Sequence, residues 1–110
     1  MDFHGIDLRK NLRRLRELKP EMFKGFVEFD QSVFKDAALT GKVKELMAIT
    51  AALVTQCPWC IDTHTKRAKE KGASDEEVAE AVFVAMAMGA GAAWAHGGIA
   101  VDVAQAHGHQ

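Results

Sequence analysis

The sequence predicts an all-α domain, a bundle of about six helices that assembles into a homo-oligomer. Three observations carry the helical assignment. Apolar residues recur at three- and four-residue spacing along nearly the whole chain. No run alternates apolar and polar side chains as a half-buried strand would. Helix starts and stops fall between the periodic segments. At 110 residues the chain is one domain with room for its own core, and no internal repeat or low-complexity linker divides it.

Leu8, Leu12, Leu15 and Leu18 define the first helix, with Asp7 as its N-cap and Pro20 as its stop. Arg9, Lys10, Arg13, Arg14, Arg16 and Lys19 give it a basic, solvated face. The second helix runs from Glu21 to Lys35 and carries a broad apolar surface that includes Phe23, Phe26, Phe29 and Phe34. After a break at Leu39-Thr40-Gly41, Thr40 caps a third helix through Val54, whose one acid is Glu45. Pro58 suits a first helical turn, where its missing N–H costs nothing, so a fourth helix starts near Cys57 and runs to Lys71, closed by Gly72. Ser74 and Glu77 form a capping box that opens a fifth helix from Asp75 to about Met88. Gly89-Ala90-Gly91 is expected to break it, with a sixth helix from Trp94 to Ala106 and a frayed tail over His107-Gly108-His109-Gln110.

A net charge of −1 gives no general attraction to nucleic acid or an anionic membrane, so neither is expected as a partner. Ala81 to Val101 lacks any formally charged residue and is long enough to span a bilayer. Its Ala and Gly content and His96 keep it only modestly hydrophobic, so a buried helix, or two, packed through small residues is expected instead. No apolar core region follows the first residues, so no secretory signal is read and a cytoplasmic location is expected. In that reducing compartment a Cys-x-x-Cys pair is catalytic or metal-binding rather than structural.

Cys57 and Cys60, in Cys57-Pro58-Trp59-Cys60, are the only two cysteines. A disulfide between them closes a very small loop and adds little stability, which suits redox chemistry better than bracing. Cys57 at the helix start lies near unsatisfied N–H groups, which lower a thiol pKa from about 8.5 toward neutrality. Cys57, Cys60 and His64 fall at i, i+3 and i+7 on one helical face, where the imidazole can move a proton to or from a thiol. Glu45 is costly to bury without a partner, yet Lys42 and Lys44 beside it fit an exposed helix start equally well. Twelve residues of straight helix before Cys57 span about 18 Å and seven after it about 10 Å. If the two helices fold back, Glu45 therefore approaches His64 with a gap that a water or a bent junction must close.

Zinc is an alternative, with Cys57, Cys60 and His64 as ligands and Glu45 or His96 as a fourth, but no second short ligand motif accompanies them. A thioredoxin-like site would need βαβ strands that the pattern lacks. His96 is expected to pack, Trp94 to lie in the core or an interface, and His107 and His109 to bind metal only adventitiously.

Glu45, eleven intervening residues, Cys57-x-x-Cys60, three more, then His64 resembles the active-site pattern of AhpD-like alkylhydroperoxidases of the carboxymuconolactone decarboxylase superfamily. The likeness covers about Lys42 to Gly72 and the Ser-x-Glu-Glu helix start that follows. It implies an all-helical homotrimer or homohexamer and a peroxide-reducing dithiol that needs no cofactor and no metal. It also implies a dithiol electron donor, for which a lipoylated protein is the candidate. By the same likeness Cys60 reacts with peroxide, Cys57 resolves, and Glu45 and His64 relay protons; the helix-end reading instead makes Cys57 the more acidic thiol. The best-known peroxidases of the family have a histidine just before the second cysteine, where this chain has Trp59. The superfamily's decarboxylases generally lack the cysteine pair.

Overall fold

The structure, a computed structural model, describes residues 2–3 and 6–108, with side chains from residue 9 onward. Two two-residue strands, β1 (Asp2–Phe3) and β2 (Ile6–Asp7), pair antiparallel at the N-terminus. Strands this short carry no sequence periodicity, and none was expected. Five helices follow among the described residues: α1 (Leu8–Leu18), α2 (Pro20–Val33), α3 (Gly41–Thr55), α4 (Pro58–Glu70) and α5 (Asp75–Gly108).

Helix boundaries follow the local chemistry. Asp7 immediately precedes α1, the position expected of its cap, but its side chain lies outside the described part. Pro20 separates α1 from α2 and occupies the first turn of α2. α2 ends at Val33 rather than Lys35, and residues 34–40 form the break. Thr40 caps α3, its hydroxyl accepting from Val43 N–H at 3.2 Å. Gly72, at φ +91°, ends α4: Ala73 N–H donates to Ala68 O at 2.9 Å and Gly72 N–H to Lys69 O at 3.0 Å, a Schellman closure that brings Ala68 and Ala73 together in the core. The Ser74–Glu77 capping box forms in both directions, at 2.9 and 3.0 Å.

The expected fifth and sixth helices are one. α5 runs through Gly89-Ala90-Gly91 for 34 residues without a break, about 51 Å of helix. A glycine in a helix costs about 1 kcal/mol relative to alanine, but no proline removes a hydrogen bond here and alanines flank the glycines. Once nucleated, such a helix propagates. His107 and Gly108, expected to fray, lie in its last turn, whereas His109 and Gln110 lie outside the described residues.

The core sits where α3, α4 and the first half of α5 meet. Ile49, Ala68, Ala73 and Ala81 form it, with Leu46, Leu53 and Val78 packed against them. Thr50 Oγ1 ties α3 to α5 by donating to Ala81 O at 2.9 Å. The outer half of α5 is not the buried segment expected: Trp94 is 86% exposed, and Ile99, Val101 and Val103 are also exposed. By length and composition alone α5 is apolar enough to cross a membrane. The chain is correspondingly extended, with a radius of gyration of 18.9 Å, against about 13 Å for a compact domain near this size.

Candidate active site

α3 and α4 build the site as an antiparallel pair. Gln56 takes the left-handed conformation (φ 58°, ψ 52°), and Cys57 N–H turns back onto Ala52 O at 3.0 Å. This reversal sets Cys57 at the N-cap of α4, where its sulfur accepts from Cys60 N–H at 3.2 Å. The two cysteines are joined as a disulfide, with their Cα atoms 5.3 Å apart. The sequence-based placement of Cys57 at a helix N-terminus is therefore met by a direct hydrogen bond to its sulfur.

The buried residues of α3 are Gly41, Glu45, Ile49 and Ala52, one stripe at helical spacing that faces the core. Glu45 belongs to it and is 0% exposed, which removes the exposed alternative. Its Oε2 lies 2.6 Å from His64 Nδ1. The expected gap is absent. Counted from the reversal at Gln56, Glu45 lies eleven residues back and His64 eight forward, an offset of about 4.5 Å that the two side chains span. No bridging water or bent junction is needed.

Three neighbours of this pair had no distinctive sequence signal. Phe34, expected within the second helix, lies just beyond α2 and stacks on the His64 ring, centroids 5.0 Å apart and planes at 27°. Lys71 Nζ approaches the other Glu45 oxygen, Oε1, at 3.6 Å. That Oε1 has no hydrogen-bond partner, so Lys71 meets it as a charge. Lys71 also bonds Phe34 O at 3.4 Å. Gly41 makes room for it, since a Cβ there would meet Lys71 Nζ at 2.9 Å.

Two clefts flank the pair. One, about 590 Å³, has Cys60, Trp59, Thr63 and His64 on its α4 wall, and Cys57 is not among its lining residues. Its other walls come from α1 and α2. The second, about 930 Å³, reaches Glu45 from the side of Lys71, Lys42 and Thr40. Glu45 thus sits between His64 on one cleft and Lys71 on the other. His96 is exposed on the outer half of α5 and lines neither cleft, so within one chain it neither packs nor joins the site. Among the described residues no three or more His, Cys, Asp or Glu side chains are grouped to hold a metal ion.

Comparison with known proteins agrees with this architecture. Residues 20–106 match the carboxymuconolactone decarboxylase family. The chain is 47% identical over 78 residues to uncharacterized protein 4 in the cox locus of Paracoccus denitrificans, covering 71% of this chain and 70% of that one. A carboxymuconolactone decarboxylase family protein from Legionella pneumophila superposes with a TM-score of 0.70 at 36% identity, over 74% of this chain and 73% of its own. A Thermotoga maritima family member, suggested to take part in an antioxidative response, superposes with a TM-score of 0.58 at 40% identity, over 61% and 69% of the two chains. The chain belongs to the carboxymuconolactone decarboxylase family.

Proposed function

We propose that this carboxymuconolactone decarboxylase family protein is a thiol-dependent peroxide reductase that cycles between a Cys57/Cys60 dithiol and the Cys57–Cys60 disulfide. The observation that carries the reading is the arrangement around Cys60. Its sulfur is paired with Cys57, it lies on a cleft wall beside His64, and His64 is held at Nδ1 by a buried carboxylate.

In this reading the Cys60 thiolate attacks a peroxide oxygen, breaks the O–O bond and becomes a sulfenic acid while the alcohol leaves with a proton. Cys57 then attacks the Cys60 sulfur, water departs and the disulfide forms. An external dithiol, for which a lipoylated protein is the candidate, returns two electrons and two protons. The N-cap position of Cys57 explains how the more acidic thiol can be the resolving one: its thiolate is stabilised when the donor opens the disulfide, whereas Cys60 is the sulfur a peroxide reaches. Glu45 fixes the His64 ring so that Nε2 is free to exchange protons at the cleft. Lys71 and the second cleft connect Glu45 toward solvent.

Trp59 supports a slower second reading, disulfide reduction with little peroxide turnover, because it offers no titratable group beside Cys60. Lactone decarboxylation without thiols is the remaining alternative. Peroxide consumption by the reduced protein with dihydrolipoamide, combined with dimedone trapping in Cys57→Ser and Cys60→Ser, tests all three. Sulfenic acid on Cys57→Ser alone is expected. Trapping on neither variant, with both folded, removes the peroxidase reading, and lactone decarboxylation that survives in the Cys57→Ser/Cys60→Ser double mutant favours the decarboxylase.

The protein is further proposed to work as a closed cytoplasmic homo-oligomer of three or six chains. One chain exposes 8503 Å², whereas a compact monomer of 12.0 kDa exposes about 6,000 Å². Exposed Phe29, Phe83, Met86 and Trp94 are part of that excess.

A further inference from the structure

The cleft beside Cys60 and His64 has a second wall that the redox reading does not use. Arg9, Leu12, Arg13 and Arg16 of α1 all line it. At 100° per residue these positions fall within about 100° of arc, so they form one face of the helix. The basic face expected to be merely solvated is thus divided, and this part of it lines the same cleft as Cys60.

The charge there is strongly one-sided. Arg67 of α4 joins the three α1 arginines on the cleft, and Asp30 is the one carboxylate lining it, 3.8 Å from Arg67. Four cations and one anion leave +3 on the cleft of a chain whose net charge is −1. Among the described residues no ion pair engages Arg9, Arg13 or Arg16. The same lining carries an apolar set, Leu12, Phe23, Phe26, Val27 and Trp59, beside the polar Gln31 and Thr63. The volume, about 590 Å³, is within the usual range for a small-molecule site.

We infer that this cleft binds an anionic amphiphile, and, resting on the peroxide-reductase reading, that the preferred substrate is the hydroperoxide of a long-chain carboxylic acid. The guanidiniums of α1 take the carboxylate as charge-assisted, bidentate pairs. The aromatic and aliphatic side chains cover the chain and present the O–O group to Cys60. Each turnover converts R–OOH and two protein thiols into R–OH, water and the Cys57–Cys60 disulfide, and an external dithiol restores the thiols. The carboxylate takes no part in bond making; it contributes binding energy remote from the reacting atoms.

The test compares kcat/KM for linoleic acid hydroperoxide and its methyl ester on the reduced protein with dihydrolipoamide, at low and high salt. The acid is expected to be preferred about tenfold, as one charge-assisted contact warrants. High salt should erode the preference. In Arg13→Gln/Arg16→Gln the acid-to-ester ratio should fall toward one, and a ratio within one preparation is insensitive to partial loss of folding. Arg14→Gln, off the cleft, should keep the wild-type ratio. Equal rates for acid and ester on the wild-type protein overturn the inference while leaving peroxide reduction standing. If no peroxide is reduced, palmitate is titrated into the oxidised Trp94→Phe protein, reading Trp59 fluorescence. Saturable binding that is lost in the arginine variant supports the ligand class without the peroxidase, and absence of binding overturns it.

Discussion

Glu45 and His64, nineteen residues apart on antiparallel helices, meet through Oε2 and Nδ1 at 2.6 Å, with the carboxylate fully buried. That contact makes the imidazole a directed group rather than a freely rotating one. It also places a carboxyl group in the core whose ion-pair partners among the described residues are His64 and Lys71.

Glu45→Gln keeps the side-chain volume and removes the charge. Peroxide-dependent turnover is expected to drop about 100-fold, the scale of a lost proton-transfer catalyst. Iodoacetamide alkylation of Cys60 in the reduced protein should persist, which shows that the thiol remains present and accessible. His64→Ala should do more to the fold, destabilising it by about 3 kcal/mol because a buried carboxylate loses its close partner. Urea unfolding of the two variants distinguishes the effects.

A Cβ at Gly41 would stand 2.9 Å from Lys71 Nζ, where the lysine reaches Glu45. Gly41→Ala should displace the lysine and lower turnover, and Lys71→Met should lower it similarly. Combining them should add little, since each removes the same contact. Full additivity in a double-mutant cycle would show that Gly41 acts by another route.

Stability should weaken in acid through the start of α5. The Ser74 backbone N–H and Lys42 hold the Glu77 carboxyl below its ordinary range, and the hydrogen bond and charge of Lys69 do the same for Asp75. Carboxylates with depressed pKa bind protons more readily in the unfolded chain. Their contribution is therefore complete above the ordinary carboxylate range, about pH 4, and is lost as pH falls through and below it. Urea midpoints measured from neutral pH down to pH 3 should fall, and Glu77→Gln should flatten the fall.

Gln56 holds a left-handed conformation that favours glycine. Gln56→Gly should stabilise the protein by about 0.5–1 kcal/mol, read from the urea midpoint, because relief of the backbone strain exceeds the added entropy of the unfolded chain.

Light scattering of the purified protein should give a mass of three or six times 12.0 kDa. Trp94→Glu, on the exposed outer half of α5, should reduce that mass. A monodisperse 12.0 kDa species would overturn the proposed assembly.

Much of this architecture was legible in the sequence because its determinants are local. Thr40, Pro58, Gly72 and the Ser74–Glu77 box act within a turn of their own position, and each marks a boundary the structure keeps. The shared face of Cys57, Cys60 and His64 is likewise a property of one helix. One local signal misled: the glycines at 89 and 91 do not break α5, since their cost is small against continued propagation; the two-residue strands leave no pattern to read.

What the sequence by itself determined, then, is the helical class, the cap positions and the cysteine pair with its histidine. Only the tertiary structure decided that Glu45 is buried, that it touches His64 directly, that Phe34 and Lys71 complete the surroundings, and that arginines of α1 line the same cleft as Cys60. The reason is physical: helical spacing fixes which side chains share a face, but the angle at Gln56 and the packing of Ile49 and Ala68 fix which faces meet.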